Sequence, residues 1–291
     1  MLSFIRSSFV AAPMVRSLVA WLAASLLAVG ACRGHDRDSN SEALADTVGT
    51  ARRLAVIEPS RTPYHAGPVA HAAKVTGTIS YTGTPSADTL VVVPADQNGC
   101  GKQLVIPRLQ RRNDKLQGAL VWLPDIRSGA PLPFNRRYEL TNNDCAWDPV
   151  LQAAVVDGTL NVSNYDPLVE RAFITDVATR DTVASAPFTD NGQIIPYDKL
   201  LRTPGVYELS MESRPMSRAW VAVLDTPYFA VTDANGTFSM DSVPPGTHTV
   251  RVWHPLLGIT EGQVTVAPDG TATIDIPFHD ATPGPAQQSG R

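Results

Sequence analysis

Hydrophobic and polar positions begin to alternate at Val75 and keep a two-residue period for most of the remaining chain. Val75-Thr76-Gly77-Thr78-Ile79-Ser80-Tyr81 places every second side chain on one face and stops at Thr82-Gly83, which predicts a strand. Leu90–Val93 and Gly118–Leu123 are continuous apolar runs, the second closed by Pro124, and both read as further strands. Arg137–Leu140 leads towards Cys145. Val150–Val156, the pair Asp157-Gly158 and Thr159–Asn164 predict a hairpin. Pro204-Gly205 turns into Val206–Met211, and Ala219–Leu224 follows. Beyond Asp225, Asn235-Gly236 between alternating segments is a second hairpin signal, and Pro244-Pro245-Gly246 marks a turn. Glu261–Val266, Asp269-Gly270 and Thr271–Ile276 predict a final hairpin. Short strands at this spacing predict an all-β chain built as sandwiches.

Before residue 74 the pattern is different. Arg6 and Arg16 precede an uncharged apolar stretch, Ser17–Gly30, which is shorter than the ~20 residues of a membrane span. It reads as a signal peptide over residues 1–31. Val29-Gly30-Ala31-Cys32 resembles a bacterial lipobox, which makes Cys32 the acylated first residue of a mature lipoprotein; an ordinary secretory cleavage near Ala31 is the alternative. Acylation predicts a protein held to a bacterial membrane by lipid, facing periplasm or exterior. Residues 32–73 are polar and small, with only a thin apolar face over Ala43–Leu54, and read as a flexible tether carrying solvated His65 and His71. Residues 280–291 read as a disordered tail.

A formal net charge of −4 with no basic tract argues against a nucleic-acid partner. With Cys32 acylated, two of the three cysteines remain, Cys100 and Cys145. Outside the cytoplasm these are most simply a disulfide, with two free thiols as the alternative; their spacing excludes a Cys-x-x-Cys metal site. Other candidate chemistry is thin. Asp233, Asn235 and Asp241 have a calcium-loop spacing without its glycine, so a turn is the better reading. His248 and His254 share a strand face but lack a third ligand. Asp144, Asp148, Asp157 and Asp166 are scattered over turns. Trp122, Trp147, Trp220 and Trp253 read as core. No nucleophile elbow, His-Glu-x-x-His or phosphate loop occurs.

Two family resemblances rest on particular residues. Thr232–His254, TDANGTFSMDSVPPGTHTVRVWH, resembles the carboxypeptidase regulatory-like repeat, a small transthyretin-like sandwich, and implies a non-catalytic module over residues 225–279. Val75–Gly83, Cys100-Gly101, Ala119–Leu123, Cys145 through Asp148-Pro149-Val150, Asn164-Tyr165-Asp166-Pro167 and Pro204-Gly205-Val206 through Arg218–Val221 resemble a cupredoxin. The type is plastocyanin-like and methylamine-utilisation-associated, and it implies a Greek-key sandwich over residues 74–224. A blue copper site needs two imidazoles and a thiolate, often with an axial methionine. The resemblance places Glu170 and Arg214 at the two histidine positions, Met211 at the cysteine and Ser217 at the methionine. No histidine lies between His71 and His248. The resemblance therefore implies a degenerate site with no cofactor, in which Glu170 and Arg214 face one another as an ion pair.

The sequence thus predicts a non-enzymatic envelope lipoprotein acting as a binding or structural β module. Its partners would be the membrane, through the lipid, and a protein or carbohydrate ligand. A carbohydrate-binding accessory role and a redox or metal role with an atypical site are the alternatives.

Overall fold

The computed structural model describes residues 57–84, 88–93, 100–106 and 109–279. The expected signal segment 1–31, Cys32, residues 32–56 of the expected tether and the expected tail 280–291 lie outside these residues. Among the described residues no helix is long and apolar enough to cross a membrane. The fold is all-β, with a short 3-10 turn at Leu200–Arg202.

A central sandwich holds residues 137–224. Its first sheet runs in the order Ala146–Asp148, Arg137–Asn143, Thr159–Asn164, Gln193–Tyr197. Its second runs Leu151–Val155, Arg214–Leu224, Gly205–Met211, Glu170–Asp176, Thr182–Phe188. Each sheet contains one parallel pair, Arg137–Asn143 with Thr159–Asn164 and Leu151–Val155 with Arg214–Leu224. Leu140, Leu160, Val162, Ile174, Phe188, Leu209 and Val221 fill the space between the sheets.

A second sandwich is assembled from both ends of the described chain. One sheet runs Phe229–Val231, Leu120–Trp122, Gly246–His254, Gly258–Val266. In the other, Ala73–Tyr81 is the middle strand, antiparallel to Thr237–Val243 and parallel to Thr271–Phe278. Its neighbours come so close that a Cβ at Gly77 would run into the Ile274 carbonyl and the Phe238 ring. The predicted boundary at Leu224/Asp225 therefore does not follow the strand pairing. Ala73–Tyr81 and Leu120–Trp122, assigned by sequence to the first domain, pack with the C-terminal strands because their alternate residues Val75, Ile79 and Val121 face Val250, Val252 and Ile276.

The two sandwiches are stacked. The outer face of Leu120–Trp122 and Trp253 meets the outer face formed by Leu151, Ala153, Val206, Ala222 and Leu224. This third core explains the continuous apolar runs: Ala119, Val121 and Leu123 point into one core and Leu120 and Trp122 into another. Strands covered on both faces lose the polar half of their alternation. Ile57 joins the same layer, His65–Ala66 pairs with Ser128–Gly129, and the Tyr64 hydroxyl donates to the Ala130 carbonyl. Residues 57–72 are therefore fastened to the body rather than serving as tether, while His65 and His71 are exposed as expected.

All three predicted hairpins are corners instead. Leu151–Val155 and Thr159–Asn164 lie in different sheets, as do Phe229–Val231 and Thr237–Val243, and Gly258–Val266 and Thr271–Phe278. At the second corner Gly236 has φ +68° and donates to the Asp233 carbonyl, while the Asp233 carboxylate accepts from the amides of Asn235 and Thr237. Those bonds hold the Asp233 carboxyl below its ordinary pKa and leave its oxygens to the turn. Asp241 pairs with Lys74 instead.

Candidate functional site around Arg214

The site forms at one end of the central sandwich. Gly205–Met211 and Arg214–Leu224 are joined by a tight turn in which Met211 lies opposite Arg214. Glu170 opens the neighbouring strand, and Asp166 lies in the turn just before it. Cys145 sits in the two-residue hairpin turn between Arg137–Asn143 and Ala146–Asp148 with φ +61°, and its amide donates to both Asp166 oxygens, at 3.0 and 3.2 Å.

Arg214 is the centre. Its side chain is 4% exposed, those of Asp166 and Glu170 1% and 3%. Nη2 donates to Asp166 Oδ2 at 3.1 Å and lies 2.9 Å from Glu170 Oε1. Nη1 donates to the sulfurs of Cys100 at 2.6 Å and Cys145 at 2.8 Å. Cys100 and Cys145 form a disulfide with Cα atoms 5.5 Å apart. Asn142 Nδ2 donates to Asp166 Oδ2 and to Asn164 Oδ1 at 2.8 Å, so the anion is held from two sides. Ser213 Oγ donates to Glu170 Oε1. Ser217 Oγ donates to the Cys145 carbonyl at 3.0 Å, and Trp147 Nε1 to the Ser217 carbonyl at 3.2 Å. Met211 is buried in the central core.

The four residues matched to ligand positions thus gather around one end, with Glu170 and Arg214 in contact. Asp166 is the partner the sequence reading missed. The signal was present, since Asn-x-Asp-Pro puts a carboxylate in a turn beside two buried asparagines, but nothing local says which cation it meets. One guanidinium faces two carboxylates. Burial raises the Glu170 pKa against the opposing pull of Ser213 and Arg214, and Asp166 raises it further. Glu170 Oε2 and Arg214 Nε have no protein hydrogen-bond partner, so the network is tight but not fully satisfied.

These groups do not fit a blue copper ion. A guanidinium offers donors only and stays charged, so it cannot ligate and repels a cation. Cys100, Cys145 and Asp166 bring their ligand atoms within 4.8 Å of one another. Their sulfurs, however, are joined to each other and the carboxylate is committed to Arg214, so no thiolate or free carboxylate is left for a metal. Trp122, Trp147 and Trp253 are buried and Trp220 is partly buried, with Trp147 and Trp220 also lining a surface cleft.

Residues 209–279 match the family model of the carboxypeptidase regulatory-like domain. The match begins inside the central sandwich and ends at the last strand of the second. No curated protein matches the chain. Similar solved structures include a purple cupredoxin from Nitrosopumilus maritimus, at 15% identity and a TM-score of 0.27, covering 30% of this chain and 99% of that one. They also include a point mutant of amicyanin in its reduced Cu(I) form, at 12% identity and a TM-score of 0.27, covering 30% of this chain and 82% of that one. The chain is an all-β protein that carries a carboxypeptidase regulatory-like domain at residues 209–279 and has cupredoxins among its structural neighbours.

Proposed function

We propose that the protein is a non-enzymatic, lipid-anchored module of the cell envelope that works by binding rather than by metal or redox chemistry. One observation carries this reading: a buried arginine, held by Asp166, Glu170 and both sulfurs of a disulfide, stands where the cupredoxin resemblance would put a ligand. A fixed positive charge there costs a metal its binding energy, while two carboxylates stabilise the charge without one. The anchor rests on the apolar stretch Ser17–Gly30 and Cys32.

The test is copper titration of the full mature chain, with metal quantification after dialysis. The expected result is no stoichiometric copper and no thiolate-to-copper absorption band. Tight equimolar copper binding would overturn the reading. Mass spectrometry of the N-terminal peptide from the same preparation should show a diacylglyceryl mass on Cys32, and a mature chain beginning elsewhere would remove the anchor from the proposal.

A further inference from the structure

Beside the Arg214 network, where the two sandwiches meet, the surface folds into a cleft of about 400 Å³. Three structural units contribute walls. The central sandwich supplies Trp147 and Trp220, the turn after Gly246–His254 supplies Leu256, and a two-stranded ribbon supplies Leu104 and Ile106. The ribbon, Thr89–Val92 paired with Gln103–Ile106, joins no other sheet, and Cys100 in the disulfide ties it to the body beside the cleft. Its inward residues Leu104 and Ile106 are half-buried against the cleft, whereas Leu90 and Val105 on its other face are more than half exposed.

The polar lining is sparse and specific. Among the described residues no carboxylate lines the cleft. The one cation among the described lining residues, Arg218, is exposed at the rim, where Nη1 donates to Glu208 at 3.3 Å and Nε to the Pro215 carbonyl. His254 also lines it and is 6% exposed. Its Nδ1 accepts from the Leu256 amide at 3.2 Å, so in the neutral ring Nε2 carries the proton. That N–H has no acceptor among the described residues. A ligand oxygen in the cleft could accept from that N–H. Volume, apolar walls and a few placed polar groups are the ordinary properties of a small-molecule site.

We propose that this cleft binds a compact, uncharged aromatic molecule through its apolar walls, with a carbonyl or ether oxygen of the ligand accepting from His254 Nε2–H. Among the described lining residues an anion would find no unpaired cation and a cation no carboxylate, which favours an uncharged ligand. The proposal rests on the reading of the protein as a binding module and adds the class of ligand.

Equilibrium dialysis of the full mature chain against 2-acetylnaphthalene and 2-ethylnaphthalene tests it, because the two probes share a ring system and differ in one acceptor. Saturable binding of both is expected, with 2-acetylnaphthalene about threefold to tenfold tighter, the range of one net hydrogen bond. His254→Phe should abolish that preference while 2-ethylnaphthalene still binds. Ala146→Phe, at an exposed position lining the cleft, should weaken both probes and keeps the test decisive if His254→Phe fails to fold. Absence of saturable binding, equal affinity for the two probes, or indifference to Ala146→Phe would each overturn the site. None of these outcomes bears on copper, so failure here leaves the reading of Arg214 to its own experiment.

Discussion

At the scale of single residues, Arg214 and Glu170 are unequal partners. Arg214 answers two carboxylates, and truncating it would leave both buried without their counter-charge. Arg214→Ala is expected to cost about 3–5 kcal/mol, the range for breaking a buried ion pair. Glu170 differs because burial raises its pKa: the folded state resists its ionisation. A carboxyl with a raised folded pKa adds most to stability at low pH, and that contribution fades as pH rises through the unfolded carboxylate range towards the folded value. Glu170→Gln should therefore cost less than about 1 kcal/mol at neutral pH. Urea unfolding of the two variants decides the point, and equal losses would refute the asymmetry.

His254 works in the opposite sense. Burial lowers its pKa from 6.5 to about 4. Between those values the unfolded chain binds a proton that the folded chain does not, so stability rises with pH there. The contribution is complete above about pH 6.5, shrinks as pH falls, and is lost through about pH 4, amounting to about 3 kcal/mol in all. Urea midpoints of the native chain should fall across this window, and His254→Phe should flatten that part of the profile. An unchanged slope in the variant would show that other groups carry it.

At the scale of elements, the strand Ala73–Tyr81 decides how much of the chain the C-terminal module needs. It lies between Thr237–Val243 and Thr271–Phe278 and hydrogen-bonds to both. A fragment that begins at Asp225 lacks this strand and also Leu120–Trp122, which separates Phe229–Val231 from Gly246–His254. Such a fragment would leave four strand edges unpaired and expose half of an apolar core. We expect residues 225–279 alone to show no dispersed amide spectrum by NMR, whereas residues 57–279 fold. A well-dispersed spectrum from the short fragment would mean that its own strands suffice. Parallel pairing of Ala73–Tyr81 with Thr271–Phe278 also means that strands from near the two ends of the described chain close the structure together.

At the scale of the whole molecule, much of the strand content was legible in the chain and the pairing was not. Alternation fixed the face that each residue of Val75–Tyr81 presents, and turn residues fixed the corners. Asp157-Gly158, Asn235-Gly236 and Asp269-Gly270 nevertheless join strands of different sheets. A turn sets only the local reversal of direction. Whether the next strand pairs with the last or crosses to the facing sheet depends on which arrangement buries both apolar faces, and that is a property of the assembled layers. The runs Gly118–Leu123 and Ala219–Leu224 are apolar throughout because a second sandwich covers their outer faces, which no single strand can announce. The disulfide was readable from the cysteine count together with the expected export signal. Matching of motifs brought Glu170 to Arg214, but Asp166 entered the network only through the fold, which carries the turn at residue 166 to the strand that starts at residue 214. Composition and period, acting over a few residues, determined that this chain is a β protein. Burial and charge pairing, acting across tens of residues, decided which strands share a sheet, what neutralises Arg214, and where a cleft remains open.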